Sequence, residues 1–145
     1  MRALIQRVNE ASVSVENQTI GSISKGIVIL LGITHSDNLN CIEKGVDKCI
    51  NLRIFEDEFG KMNLSLKDVS GEALIISQFT LYGDCKRGRR PSYTEAALPE
   101  AAEKLYDYFI ECFRKSGIET QSGKFGAMMD VNLVNSGPVT LMVEI

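Results

Sequence analysis

The sequence predicts an α+β fold: an antiparallel or mixed β-sheet that curls toward a barrel and carries two main helices. Three observations predict it. Short β-branched runs recur along the chain, two segments show helical hydrophobic spacing, and strand and helix never alternate as regularly as a parallel βαβ sheet requires. A length of 145 residues suits one domain, residues 1–145, and no repeat, low-complexity tract or linker divides it.

Residues 2–16 have strand character, with Ala11-Ser12-Val13-Ser14-Val15 alternating small or polar with apolar side chains. Asn17-Gln18 offers a turn into residues 19–24, so a hairpin is expected. Residues 26–34 are almost continuously β-branched or leucine, the pattern of a central strand buried on both faces. Ser36, Asp37 and Asn38 are N-cap candidates. After them Leu39, Ile42, Val46, Cys49 and Ile50 recur at helical spacing to about Leu52, and Gly45 weakens that helix.

Arg53-Ile54-Phe55 reads as a short strand, residues 57–61 as a turn, 62–66 as a strand and 72–81 as a second central strand. A polar loop, 84–94, follows. Pro99 suits the first turn of a second helix. Ala102, Leu105, Tyr106, Phe109, Ile110 and Phe113 mark its buried face, and Gly117 ends it. Residues 118–145 read as strands broken at Asn135-Ser136-Gly137-Pro138, because proline cannot donate to a ladder.

Composition narrows the function. Hydrophobic residues make up 44% and charged residues 24%, ordinary for a soluble domain. A net charge of -3 excludes coating nucleic acid through overall charge, so any RNA contact must use a local basic patch. Cys41, Cys49, Cys85 and Cys112 form no C-x-x-C pair and no metal spacing. They read as three buried small hydrophobes and one loop thiol, and no metal or cofactor is expected. Gln6 and Arg7 interrupt the start where a signal peptide needs an apolar run. The longest such run, Ile27-Val28-Ile29-Leu30-Leu31, is too short to span a bilayer. A cytoplasmic protein without membrane contact is expected.

Three stretches stand out chemically. In Ser77-Gln78-Phe79-Thr80-Leu81, polar residues end a strand that is wholly apolar from Ala73-Leu74-Ile75-Ile76. Strand ends let side chains and N–H groups leave the ladder and meet a ligand. Pattern alone favours a plainer reading, a solvent-facing strand end. In Asn135-Ser136-Gly137-Pro138-Val139-Thr140, Pro138 interrupts a strand and Gly137 tolerates unusual backbone angles, which also fits a simple hairpin. In Lys86-Arg87-Gly88-Arg89-Arg90-Pro91, four cations in five positions suit phosphate or merely a solvated loop.

Absences matter as much. The single histidine, His35, lies between a buried strand and a helix cap, where a structural hydrogen bond is the commoner role. No G-x-S-x-G elbow, P-loop, G-x-G-x-x-G or zinc signature occurs. An enzyme built on this chain must rely on backbone groups, hydroxyls, amides or the substrate itself.

The first two stretches resemble the two signature motifs of the D-aminoacyl-tRNA deacylase family. The likeness covers the whole chain. Met1-Arg2-Ala3-Leu4-Ile5-Gln6-Arg7-Val8, Lys86-Arg87-Gly88-Arg89-Arg90-Pro91-Ser92 and Gly123-Lys124-Phe125-Gly126-Ala127-Met128-Met129 are also similar to family patterns. The resemblance implies a homodimer with active sites at the interface, acting on aminoacyl-tRNA. It implies a cis Gly137-Pro138 peptide inserted into the neighbour's pocket as a chiral selector. It also implies that Ser77, Gln78, Phe79 and Thr80 line that pocket, supported by Arg7, Phe125, Ala127 and Met129. Lys86, Arg87, Arg89 and Arg90 would then meet tRNA.

Because an aminoacyl ester is already activated, N–H groups near Phe79 and Thr80 forming an oxyanion hole would suffice alongside a water. That water could be oriented by the tRNA's terminal ribose hydroxyl. Thr80 as a nucleophile assisted by Gln78 ranks lower, since neither neighbour is a base. Competing readings are a non-catalytic RNA-binding module, a Cys85-dependent hydrolase, and a same-fold editing enzyme of other specificity.

Overall fold

The computed structural model describes every residue, Met1–Ile145. Eight strands and two helices form in chain order: β1 Arg2–Val15, β2 Gln18–Ile23, β3 Gly26–Gly32, α1 Leu39–Asn51, β4 Phe55–Glu56, β5 Met62–Leu64, β6 Glu72–Ser77, α2 Pro99–Lys115, β7 Thr120–Ser122 and β8 Asp130–Glu144. A single 3-10 turn, Phe79–Tyr82, follows β6. The α+β class and the mixed sheet stand.

β1 organises the sheet. Its first half pairs antiparallel with β3, its second half with β2, and β8 runs antiparallel along its other edge. β3, β6 and β7 are mutually parallel. The sheet curls until its ends nearly meet: a Cβ on Gly21 of β2 would lie 3.2 Å from the Ser122 carbonyl of β7. Each face is covered. Ala3, Ile5, Ile27, Ile29, Ala73 and Ile75 pack under α1 and α2 in the larger core, and Val8, Val13, Val28, Leu74 and Ile76 fill the inside of the curl. No helix is long and apolar enough to cross a membrane.

Of the cap candidates, Asn38 caps α1, its side chain accepting from the Cys41 N–H at 3.2 Å. Gly45 is more than a weakness, since a Cβ there would sit 2.5 Å from the Met1 sulfur. Gly117 takes φ +81 just past α2.

Four expectations need correction. The strand expected over 72–81 stops at Ser77, because its ladder runs out: β3 ends at Gly32, and the last pairs are Leu31–Ser77 and Ile75–Ser122. The strand expected over 62–66 stops at Leu64, where Asp68 captures the Ser65 N–H and hydroxyl at 2.8 and 2.7 Å. β8 is a single strand from Asp130 to Glu144 rather than two, although its ladder with β1 lapses between Asn135 and Thr140, where the Asn135 side chain bonds to the Arg7 and Val139 carbonyls. Only Cys49 is fully buried; Cys41 and Cys112 are half-buried beside the helix surfaces, and Cys85 is exposed.

Candidate active site

The Ser77-Gln78-Phe79-Thr80 segment sits where β6 leaves the sheet. The Gln78 N–H still reaches the Leu31 carbonyl at 2.8 Å, and then the chain winds into the 3-10 turn, closed by Leu81 N–H to Gln78 and Gly83 N–H to Thr80. The opening N–H groups of such a turn, here Phe79 and Thr80, have no acceptor within it. Ser77 and Gln78 are half-buried, Phe79 and Thr80 exposed. The Gln78 side-chain amide donates to the Thr80 hydroxyl. Tyr93 meets the Phe79 ring edge-on at 5.1 Å.

No side chain within this turn is a base at neutral pH, and the Asp37 and Glu144 carboxylates act on it from outside, at Tyr82. The Tyr82 phenol is pushed up to about 12, chiefly by burial and next by the Asp37 carboxylate, so it stays protonated near neutrality. His35 Nε2 contacts the Thr94 carbonyl at 2.8 Å, the structural role expected of it. Burial also pushes the Cys49 thiol up to about 12, leaving it inert in the core.

The second segment bulges from β8. Val8 pairs with Asn135 and Gln6 with Thr140, so residues 136–139 face Arg7 alone on β1. Gly137 has φ +113 and its bond to Pro138 is cis. Arg7 is buried and holds the bulge: Nε donates to the Ser136 carbonyl at 3.2 Å and Nη1 to the Ile54 carbonyl at 2.7 Å. Its Nη2 lies 3.7 Å from Glu56. The Asn135 amide bridges the Arg7 and Val139 carbonyls at 2.9 and 3.0 Å. Gly137 and Pro138 themselves are not part of either core.

Phe125 and Met129 lie against β6 rather than against the bulge. Phe125 packs 5.7 Å from Tyr106, whose hydroxyl donates to the Ile75 carbonyl at 2.8 Å. Met129 covers Gly123 beside Ile76, with its sulfur 2.6 Å from where a Gly123 Cβ would stand. Ala127 is half-buried, its N–H closing a turn on the Lys124 carbonyl at 3.2 Å.

Lys86, Arg87, Arg89 and Arg90 are exposed on a loop pinned at its neck by paired Asp84 and Ser92 bonds of 2.7 and 3.0 Å. None of the four forms a salt bridge.

Sheet register separates the turn from the bulge. Ser77 aligns through Leu31 with Ala3, whereas the bulge faces Arg7. Four residues along and three strand spacings across amount to roughly 13 Å by roughly 14 Å. One chain therefore joins Arg7 to the bulge, and Phe125 and Met129 to β6, without joining the two groups. Tyr93 and Glu56 escaped the sequence reading, since each meets its partner only through tertiary folding and carries no local signal.

The comparisons agree with this architecture. The family described as D-Tyr-tRNA(Tyr) deacylase matches residues 4–144. A D-aminoacyl-tRNA deacylase of Desulfatibacillum aliphaticivorans is 57% identical over 144 residues, covering 99% of each chain. The solved c-Myc DNA unwinding element binding protein superimposes with TM-score 0.94 at 42% identity, covering 100% of this chain and 99% of that one. A probable eukaryotic D-amino acid tRNA deacylase, 18% identical, shares the fold with TM-score 0.85 over 99% of this chain and 98% of its own. Motifs, fold and full-length sequence identity converge, and the chain belongs to the D-Tyr-tRNA(Tyr) deacylase family.

Proposed function

We propose that this chain, a hydrolase of the D-aminoacyl-tRNA ester bond, works with backbone N–H groups, a water and the substrate's own ribose hydroxyl instead of a charged side chain. One observation carries the reading. The 3-10 turn after β6 presents the first N–H groups of Phe79 and Thr80 at an exposed strand end, and none of its own side chains, Phe79, Thr80, Leu81 and Tyr82, is a base at neutral pH. Donors of this kind stabilise the charge that builds on the ester carbonyl as water attacks, each worth about 3 kcal/mol of barrier. The adjacent ribose hydroxyl orients that water at no cost in association entropy.

Chirality is read by exclusion. The Gly137 and Pro138 carbonyls hold the α-amino group and leave no volume where an L side chain would project. A D side chain points outward, and glycine, with nothing to exclude, is also cleaved. The register distance keeps the selector away from its own turn, so a second copy supplies it. The outer edge of β8 is unpaired and carries exposed Val134, Leu141 and Met142, which supports association along that edge. Lys86, Arg87, Arg89 and Arg90 meet tRNA phosphates, and the setting is the cytoplasm.

The decisive substrate is D-Tyr-tRNA ending in a 2′-deoxyribose. Cleavage is expected to vanish, while the ribose form is cleaved and L-Tyr-tRNA is spared. Full cleavage of the deoxy form rejects the substrate-assisted scheme. A strictly monomeric chain of full activity, by light scattering beside the assay, rejects the shared site. A second reading, nucleic-acid binding without catalysis, draws on the unpaired loop cations and on the likeness to the c-Myc DNA unwinding element binding protein. Nucleic-acid binding with no ester cleavage would favour it.

A further inference from the structure

Arg2 belongs to neither the turn nor the bulge, yet it touches the carriers of both. Its Nη1 donates to the Leu81 carbonyl at 2.9 Å, inside the Phe79–Tyr82 turn. Its Nε pairs with Glu144 Oε1 at 2.7 Å, at the end of the strand that carries Gly137-Pro138. Its guanidinium carbon lies 4.7 Å from the centre of the Tyr82 ring. Packing of Phe79 on Tyr93 and of Leu81 and Tyr82 over Gly32 also holds the turn, but neither contact is a hydrogen bond that fixes its direction. The turn buries no residue, it spans four residues, and 3-10 hydrogen bonds have poor geometry. Arg2 is the one side chain from elsewhere in the chain that hydrogen-bonds to it; the Gln78–Thr80 bond is internal to the motif.

We propose that Arg2 is a positioning residue for deacylation: it sets the direction of the Phe79 and Thr80 N–H groups by holding Leu81 and Tyr82, and Glu144 sets Arg2. The inference rests on the functional reading above. A planar fork bonded on two sides fixes orientation as a point charge cannot. A small misplacement of donors costs rate, because they are useful only where the oxyanion forms.

The test compares wild type, Arg2→Ala, Arg2→Lys and Glu144→Gln on D-Tyr-tRNA, below the melting point of each. Arg2→Ala is expected to lose kcat by roughly ten- to a hundredfold with KM within about twofold. Arg2→Lys should recover part of that loss, and Glu144→Gln should lose a few-fold. Added ethylguanidinium should restore Arg2→Ala activity saturably, which a general loss of stability would not allow. Amide exchange at Leu81 and Gly83, whose N–H groups close the turn, should quicken in Arg2→Ala and stay slow in the core strands. An active wild type with Arg2→Ala kcat within twofold overturns this inference alone. An inactive wild type overturns the functional reading and this inference together.

Discussion

The turn after β6 and the bulge in β8 both mark places where a strand leaves its ladder, yet they are held in opposite ways. The turn exposes Phe79 and Thr80, buries nothing and frees N–H groups, with Arg2 as its outside tether. The bulge is clamped from behind by buried Arg7 and by the Asn135 amide, with Gly137 and Pro138 left forward of the clamp, outside the paired register. One region offers donors, the other acceptors. An aminoacyl ester needs that pairing: donors for a carbonyl oxygen turning negative, acceptors for an ammonium group. Under the proposed scheme the difference accounts for catalysis without an ionisable side chain, and for a buried clamp on the side that would judge handedness.

Gly137→Ala should do the greatest damage, because it attacks the rigid side. A φ of +113 is strained for any L side chain, by about 1–3 kcal/mol. The new Cβ would lie 2.6 Å from Nη2 of Arg7, which its bonds to Ser136, Ile54 and Glu56 prevent from retreating. Steady-state kcat/KM on D-Tyr-tRNA should fall at least about a hundredfold, on the scale by which small misplacements cost rate. A loss under threefold would show that the bulge need not be rigid, and the comparison would fail.

Arg7→Ala comes next. It strips two carbonyls of a charged donor in a buried place, at a cost of about 2–4 kcal/mol. The melting temperature followed by circular dichroism should drop by roughly 10 °C, with activity down about tenfold through slackened geometry. Arg7→Lys should restore little, since one ammonium cannot span Ser136, Ile54 and Glu56 as a fork does. Full rescue by lysine would mean that charge alone holds the bulge.

The loop cations belong to neither region, and their removal sharpens the contrast by leaving both intact. Replacing Arg87, Arg89 and Arg90 with glutamine should raise KM several-fold near physiological salt without changing kcat. The salt slope of binding should flatten by about 0.7–0.9 for each phosphate that is no longer neutralised. A fall in kcat would place the loop inside the chemistry.

The same contrast governs what the sequence could reveal. Both central strands, both helices and the hairpin were legible because each is a local periodic pattern, from the apolar run of β3 to the face Tyr106, Phe109, Ile110 and Phe113 of α2. The end of β6 was not, because it depends on where β3 and β7 stop, which only the assembled sheet decides. Pro138 predicted a broken strand from its missing N–H; that Asn135 would bridge the gap to Arg7 and Val139 is a fact of partners 128 and 4 residues away. Both motifs were recognisable as words. Their separation on the sheet, and Arg2 between their carriers, have no local signature.

The smallest effect is the most discriminating. Thr80 has the only aliphatic hydroxyl within the turn, and accepting the Gln78 amide gives it the look of a nucleophile. An amide cannot remove a proton, and the turn has no base, so the hydroxyl has no route to an alkoxide. What Thr80 contributes under the proposed scheme is its N–H, which alanine keeps. Thr80→Ala should therefore retain activity within about threefold, far from the roughly hundred- to thousandfold that losing one oxyanion donor costs. Thr80→Pro deletes that N–H and should show the larger loss, with circular dichroism checking that the sheet survives. If alanine proved as damaging as proline, the side chain and not the backbone would carry the chemistry, and the donor side of the comparison would have to be rebuilt around a covalent intermediate.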